Sequence, residues 1–424
     1  MELFEIVGGA RLKGTIPISG SKNSALPILA ATILVEGETV LRNVPDLADV
    51  RLMQQLLARL GVKSERDADG AMRLRVEDEM NTHAEYELVR QMRASVCVMG
   101  PLLAKRRRAQ VSMPGGCAIG DRPIDLHIRG LRALGAEFEL TNGDVLLRTK
   151  KLSGADIFLG GPFGSSVTAT ANVLTAAVLA EGRTLIESAA CEPELVDLAN
   201  FLNACGARIT GQGTPEIVVD GVSKLRGAEH RVISDRIEAG TYMIAAAMTN
   251  GDIELQGARI EHLRAAVDQL RRMGCIIEKS ERGMAVSSSR RLEPVEITTQ
   301  PYPGYPTDLQ AQTMALCCLA DGNSVITEKI FPDRFLHVAE LNRMGAHLRK
   351  EGPTVIIEGV KRLIGAPVMA SDLRASAALI LAGLIAKGTT QVHRIYHIDR
   401  GYERVEQKLA AVGANIRRLD EKDA

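Results

Sequence analysis

Leu195-Val196-Asp197-Leu198-Ala199-Asn200-Phe201-Leu202-Asn203-Ala204-Cys205-Gly206-Ala207-Arg208-Ile209-Thr210 decides the fold. Leu195, Leu198, Ala199 and Leu202 keep the i, i+3, i+4, i+7 spacing of one helix face, Gly206 follows as a C-cap, and a strand begins at once. The helix-ending phrase recurs at Arg59-Leu60-Gly61-Val62, Ala133-Leu134-Gly135-Ala136, Ala204-Cys205-Gly206-Ala207, Arg272-Met273-Gly274-Cys275, Arg343-Met344-Gly345-Ala346 and Ala411-Val412-Gly413-Ala414. Successive glycines are 74, 71, 68, 71 and 68 residues apart.

A second mark keeps phase with the first. Glu36-Gly37, Glu181-Gly182, Asn250-Gly251, Asp321-Gly322 and Lys387-Gly388 precede their later glycines by 24, 24, 23, 23 and 25 residues. Two markers in fixed phase identify six structural repeats.

Each repeat opens on an apolar stretch: Ala25 to Val35, Met92 to Ala104, Thr168 to Ala180, Ala239 to Met248, Leu309 to Ala320 and Ala375 to Ala386. These stretches are too short to cross a bilayer and apolar on all sides, so each is predicted to be a buried helix. A short strand follows the glycine turn, as in Thr39-Val40-Leu41 or Thr184-Leu185-Ile186; then come the amphipathic helix and closing strands such as Ala207-Arg208-Ile209-Thr210 and Glu216-Ile217-Val218-Val219. The fold expected is α/β, with buried helices, outer sheets and the repeats grouped three and three. The expected domains are residues 22–230 and residues 1–21 plus 231–424, with ligands in a cleft between them. A six-repeat solenoid scaffold is the competing architecture, though solenoid repeats are usually shorter.

Composition narrows the partners. The 424 residues carry 52 Lys+Arg and 52 Asp+Glu, so no global field draws the chain to nucleic acid or to an anionic membrane. The basic run Lys105-Arg106-Arg107-Arg108 reads as a solvated turn, because only 3% of residues are aromatic and stacking platforms are scarce. The seven cysteines show no CxxC or Cys/His ligand spacing, so neither a metal nor a cofactor is expected, and several lie in apolar runs as small hydrophobes. The opening Met1-Glu2-Leu3-Phe4-Glu5-Ile6 lacks the features of a signal peptide, which predicts a cytoplasmic protein.

The loops between strand and helix are unequal. The first repeat has the plain Asn43-Val44-Pro45-Asp46, whereas the second has Pro114-Gly115-Gly116-Cys117-Ala118-Ile119-Gly120-Asp121-Arg122-Pro123. A thiol on such a turn can ionise; Asp121 and Arg122 would shift it in opposite directions, and a solvated cysteine without a role is the alternative. Lys22 and Asn23 precede the first buried helix, where a helix N-terminus favours anions, and Arg93 opens the second in the same position. Arg334, Arg374 and Arg400 stand at further loop or helix starts, suited to carboxylate or phosphate groups or to pairing with the adjacent aspartates. Asp308 heads the fifth buried helix, where Thr307 or Asp308 would most simply be the helix cap; the functional alternative is a carboxylate that takes a proton from a hydroxyl.

Ser19-Gly20-Ser21-Lys22-Asn23-Ser24-Ala25-Leu26-Pro27, the Cys117 loop through Asp125-Leu126-His127, Pro306-Thr307-Asp308 and Asp399-Arg400-Gly401-Tyr402-Glu403-Arg404 together resemble the UDP-N-acetylglucosamine 1-carboxyvinyltransferase family over the whole length. The resemblance implies a two-domain inside-out α/β barrel of three repeats per domain. It also implies transfer of the enolpyruvyl group of phosphoenolpyruvate to the 3′-hydroxyl of UDP-N-acetylglucosamine in peptidoglycan precursor synthesis. By similarity Cys117 protonates C3, Asp308 takes the hydroxyl proton, and Lys22, Asn23, Arg122 and Arg400 hold phosphoenolpyruvate. The nucleotide sugar would contact Asn23, Arg93, Arg122, Pro123, Ile124, Asp125, Leu126, Gly164, Ser165, Ser166, Val167, Asp308 and Ile330, with Arg334, Asp372 and Arg374 nearby. One departure is that the family's Ser-Val-Gly-Ala-Thr is here Ser166-Val167-Thr168-Ala169-Thr170, and the β-branched Thr168 restricts a backbone that glycine leaves free. The shikimate-pathway enolpyruvyl transferase shares the fold and the phosphoenolpyruvate chemistry but lacks the loop cysteine. A non-catalytic nucleotide-sugar-binding paralogue would have lost Lys22, Cys117, Asp308 or Arg400, and all four are present.

Overall fold

The computed structural model describes residues 2–113, 123–289 and 291–422. The described residues divide into two compact units, one made of those between Gly20 and Ile233 and the other joining the segment that ends at Ser19 to those from Ser234 onward. Each has its own hydrophobic core.

Among the described residues there are six four-stranded sheets, one per repeat, and a single two-stranded one. In the third repeat Asp156–Phe158 lies parallel to Arg183–Glu187, which runs antiparallel to Glu216–Asp220, itself antiparallel to Arg208–Thr210. The register Thr184↔Val219 and Ile186↔Ile217 keeps the buried side chains of neighbouring strands on one face. The other five sheets follow the same order, three of them with one strand supplied from elsewhere in the chain. The parallel strand of the first sheet, Glu229–Arg231, comes after the third repeat and pairs with Glu38–Arg42, so those three repeats close on themselves. In the other unit Lys13–Pro17 supplies the parallel strand beside Asp252–Gln256, and Glu2–Val7 fills the third place of the sixth sheet, between Thr389–His393 and Asn415–Asp420.

The six apolar stretches form the inner helices, Lys22–Ala31, Met99–Arg106, Val167–Ala177, Arg236–Met248, Gln310–Cys317 and Leu373–Ile385, each almost wholly buried. Burial of each large apolar side chain contributes about 1.5–3 kcal/mol, so helices apolar on every side stabilise the fold only from the centre. Three differ from the expected continuous helix: the first gives way to a 3-10 turn Thr32–Leu34, Met92 to Ala104 divides into a 3-10 turn Arg93–Val98 and Met99–Arg106, and the fifth opens with a 3-10 turn Thr307–Leu309.

The phase markers have a common backbone cause. Gly61, Gly135, Gly206, Gly274, Gly345 and Gly413 all have φ between 78° and 107°, the left-handed C-cap that side chains resist. In the second repeat Arg107, at φ 61°, takes the left-handed place held elsewhere by the Glu-Gly turn. Arg107 and Arg108 are exposed, as expected of a solvated basic turn, whereas the two residues before them are engaged: Arg106 donates to the carbonyls of Asn81 and Asp78, and Lys105 lies 3.3 Å from the carboxylate of Glu36. The run fastens one repeat to the loop of another.

Candidate functional site

In the Gly20–Ile233 unit the inner helix that begins at Lys22 starts from a buried polar knot. Ser21 caps it by accepting from the Ser24 amide, and Lys22, only 9% exposed, places its ammonium 3.1 Å from Asp49. Ser24 donates to the buried Asp197, which also accepts from His230 Nε2 at 2.9 Å and from the Ile233 amide at 3.1 Å. These partners fix the direction of Lys22 and leave Asn23 beside it half-buried. The helix packs against both Arg93–Val98 and Val167–Ala177, so the elements carrying Lys22, Asn23, Arg93 and the Gly164–Val167 stretch are mutual neighbours.

Ser166 caps Val167–Ala177 through the Ala169 amide at 3.3 Å, and Gly164, at φ 92°, makes the turn into it. Thr168 lies within the first turn of that helix, so its β-branch demands no conformation reserved for glycine. The restriction expected from sequence does not arise there. Pro123 and Asp125 are exposed, and Ile124 and Leu126 buried, where the chain enters the helix Asp125–Ala133. Cys117, Asp121 and Arg122 lie outside the described residues. Of the other cysteines, Cys97, Cys205, Cys275, Cys317 and Cys318 are buried, and burial pushes the thiols of Cys97, Cys205 and Cys317 up to about 12. They are packing groups.

The second constellation belongs to the other unit. Asp308 does not cap its helix, since neither Thr307–Leu309 nor Gln310–Cys317 has a side-chain cap bond. Its carboxylate instead accepts from Arg334 Nη1 at 2.8 Å and from Arg374 Nη2 at 2.9 Å, correcting the helix-cap reading. Nor do these arginines pair with their sequence neighbours Asp333 and Asp372 at the surface: their side chains are 7% and 6% exposed, against 26% for Asp308. Burial alone would raise the pKa of Asp308, but Arg374 and Arg334 outweigh it and hold the carboxyl well below its usual range.

Each partner is fixed in turn. Arg334 Nη1 also reaches Thr307 Oγ1, and Thr307 donates to the buried Glu328 at 2.9 Å. The other oxygen of Glu328 accepts the amides of Ile330 and Phe331, which positions the loop that bears Ile330. Asp372 caps Leu373–Ile385 through the Arg374 and Ala375 amides at 2.8 and 3.1 Å. Arg374 Nη1 lies 3.2 Å from Tyr402 OH. Thr241 gives its proton to the Ile237 carbonyl, so Tyr402 must donate to Thr241 across 2.7 Å and accept from Arg374. Arg400, half-buried, ends the 3-10 turn Ile395–Arg400, which packs on Leu373–Ile385, while Asp399 beside it pairs with Arg418.

The structure therefore brings Asp308, Arg334 and Arg374 together, with Asp372 and Ile330 on supporting turns. Tyr402, Thr241, Glu328 and Gln312, whose Nε2 donates to the Asp308 carbonyl at 2.9 Å and to Tyr402 OH at 3.2 Å, were not singled out from sequence as functional residues. Only Tyr402 carried a signal, inside the Arg400-Gly401-Tyr402 motif; the others are polar residues on buried helices or strand ends. Among the described residues no group of three or more His, Cys, Asp or Glu could hold a metal ion, and no helix is long and apolar enough to cross a membrane.

Comparison with known proteins agrees with this architecture. Residues 6–409 match the family described as EPSP synthase (3-phosphoshikimate 1-carboxyvinyltransferase). A UDP-N-acetylglucosamine 1-carboxyvinyltransferase of Methylacidiphilum infernorum is 53% identical over 99% of both chains, and one of Akkermansia muciniphila is 51% identical over 100% of both. The enolpyruvyl transferase NikO from Streptomyces tendae superposes with a TM-score of 0.88 at 24% identity over 99% of both chains, and an EPSP synthase of Acinetobacter baumannii with 0.78 at 21%, over 99% of this chain and 100% of that one. The closed three-repeat units with helices inside and sheets outside are thus the fold of these transferases, and the chain belongs to the EPSP synthase family.

Proposed function

We propose that the protein transfers the enolpyruvyl group of phosphoenolpyruvate to the 3′-hydroxyl of UDP-N-acetylglucosamine, releasing phosphate, as a cytoplasmic step of peptidoglycan precursor and cell-wall synthesis. The observation that carries this reading is the 53% identity, along the full chain, to a protein named for that reaction, against 21% to the EPSP synthase structure.

The reaction forms one bond and breaks another at the same carbon. The sugar oxygen adds to C2 of phosphoenolpyruvate while a proton goes to C3; phosphate then leaves C2 as a proton is withdrawn from C3, restoring the double bond. In this reading Cys117 supplies the C3 proton, and Lys22, Asn23, Arg122 and Arg400 balance the phosphate and carboxylate of phosphoenolpyruvate. Asn23, Arg93, Arg122, Pro123, Ile124, Asp125, Leu126, Gly164, Ser165, Ser166, Val167, Asp308 and Ile330 contact the nucleotide sugar.

Asp308 takes the hydroxyl proton in a way its surroundings dictate. Held ionised by two guanidinium groups, it is a weak base and cannot deprotonate a free alcohol ahead of attack. It accepts a hydrogen bond that aims the hydroxyl. It then receives the proton as the new C–O bond makes that oxygen strongly acidic. Arg334 and Arg374 hold the carboxylate in place throughout.

The test measures phosphate release from phosphoenolpyruvate with UDP-N-acetylglucosamine, with shikimate 3-phosphate and with neither. Release only with the nucleotide sugar is expected. Release only with shikimate 3-phosphate would transfer the assignment to the other acceptor, and release with neither would remove the enzymatic reading.

A further inference from the structure

His127 is absent from the roles above, yet it is 2% exposed and lies immediately after Asp125 and Leu126. One turn further on, Gly130 lets the helix Asp125–Ala133 come close to Val167–Ala177: a Cβ there would lie 2.3 Å from Val173 Cγ2. The imidazole spans this contact, with Nδ1 2.8 Å from Asn172 Nδ2 and Nε2 3.1 Å from Thr168 Oγ1.

The network settles where the protons lie. The Gly100 amide donates to Asn172 Oδ1 at 2.7 Å, so the Asn172 amide nitrogen faces the other way and donates to Val96 O and to His127 Nδ1. His127 Nδ1 is therefore an acceptor, and the ring proton sits on Nε2 and is given to Thr168. Burial, with the charge of Arg93 second, pushes the His127 pKa down to about 3, so the ring is neutral near pH 7. It offers no positive charge to a phosphate.

Resting on the nucleotide-sugar assignment above, we propose that His127 and Thr168 are a positioning pair that locks Asp125–Leu126 to Ser165–Val167, so that both segments meet the sugar nucleotide as one surface. Asp125 and Leu126 sit on one side of the bond, on the helix that carries His127. Ser166 and Val167 sit on the other, in the cap and first turn that carry Thr168. A glycine at 168 has no oxygen with which to close the link.

Calorimetric binding of UDP-N-acetylglucosamine, with steady-state kinetics, on wild type, Thr168→Val and Thr168→Ser tests this. Thr168→Val keeps the shape but leaves the Nε2 proton buried without an acceptor. It is expected to raise Kd and KM for the nucleotide sugar about tenfold while leaving kcat and the KM for phosphoenolpyruvate within about twofold, and Thr168→Ser is expected to restore wild-type values. A merely structural role would lower stability without this selective change. Folded Thr168→Val with wild-type affinity, or an affinity loss that serine does not rescue, overturns the pair. Wild-type protein that fails to bind the nucleotide sugar overturns the assignment of that ligand and the pair's role with it.

Discussion

Acidification should weaken the Gly20–Ile233 unit through His127, by an amount that follows from its burial. The ring has a folded-state pKa of about 3 against about 6.5 in an unfolded chain. A folded pKa below the unfolded one means that the unfolded chain binds the extra proton first. No stability is lost above pH 6.5, loss grows as pH falls below it, and the loss is complete once pH passes below about 3. At pH 5 the unfolded imidazole is about 97% protonated while the folded one is neutral, a difference of roughly 2 kcal/mol. That figure depends mainly on the unfolded pKa and hardly changes if the folded value is a unit higher. Replacing His127 with Gln removes the titration; the variant starts less stable because the Asn172 and Thr168 links are disturbed, but its stability should depend less on pH by this amount. Hydrogen exchange of the Val167–Ala177 amides at pH 5 to 8, corrected for intrinsic rates, reads opening of this unit alone. Parallel pH profiles for wild type and His127→Gln would refute the claim that the ring is buried neutral between Asn172 and Thr168.

Three further perturbations have defined outcomes. Gly130→Ala places a methyl 2.3 Å from Val173 Cγ2 and 3.2 Å from Leu159 Cδ2, and should cost about 1–3 kcal/mol, seen as a lower midpoint for this unit in thermal unfolding; an unchanged midpoint would mean that the helices are not in close contact. Deleting Glu2–Val7 removes the strand between Thr389–His393 and Asn415–Asp420 together with the buried Leu3, Phe4 and Ile6, so amides in both partner strands should lose exchange protection. Retained protection would contradict the permuted sixth sheet. Asp308→Asn leaves two buried guanidinium groups facing an uncharged amide and should destabilise the protein by about 2–4 kcal/mol, with kcat per folded molecule falling at least about a hundredfold. Loss of stability with a normal rate per folded molecule would leave Asp308 only a structural role.

The repeat architecture was legible because its determinants are local. A glycine at each left-handed helix end and another at most turns into the first strand are backbone requirements, and inner helices buried on all sides have no polar face to disguise them. The short parallel strands were not legible: Asp156–Phe158 and Glu229–Arg231 have three residues each, too few for alternation to show, and each is defined by a partner from another segment. Glu2–Val7 was hidden for the same reason, since its neighbours in the sheet lie near the far end of the chain. For Asp308, sequence offered a local explanation, the helix cap, and the actual partners Arg334 and Arg374 are 26 and 66 residues away. His127 and Thr168 show the same limit, for a bond across 41 residues exists only once Gly130 has let two helices meet.

Turnover in heavy water tests the central claim most directly, because addition turns C3 of phosphoenolpyruvate into a methyl group before elimination returns it to a vinyl carbon. With phosphoenolpyruvate, UDP-N-acetylglucosamine and the wild-type protein, proton magnetic resonance should show a nucleotide sugar bearing an enolpyruvyl ether on the 3′-oxygen, with solvent deuterium at its vinyl carbon. Absence of that ether, or an ether formed with no deuterium at the vinyl carbon, would contradict the account.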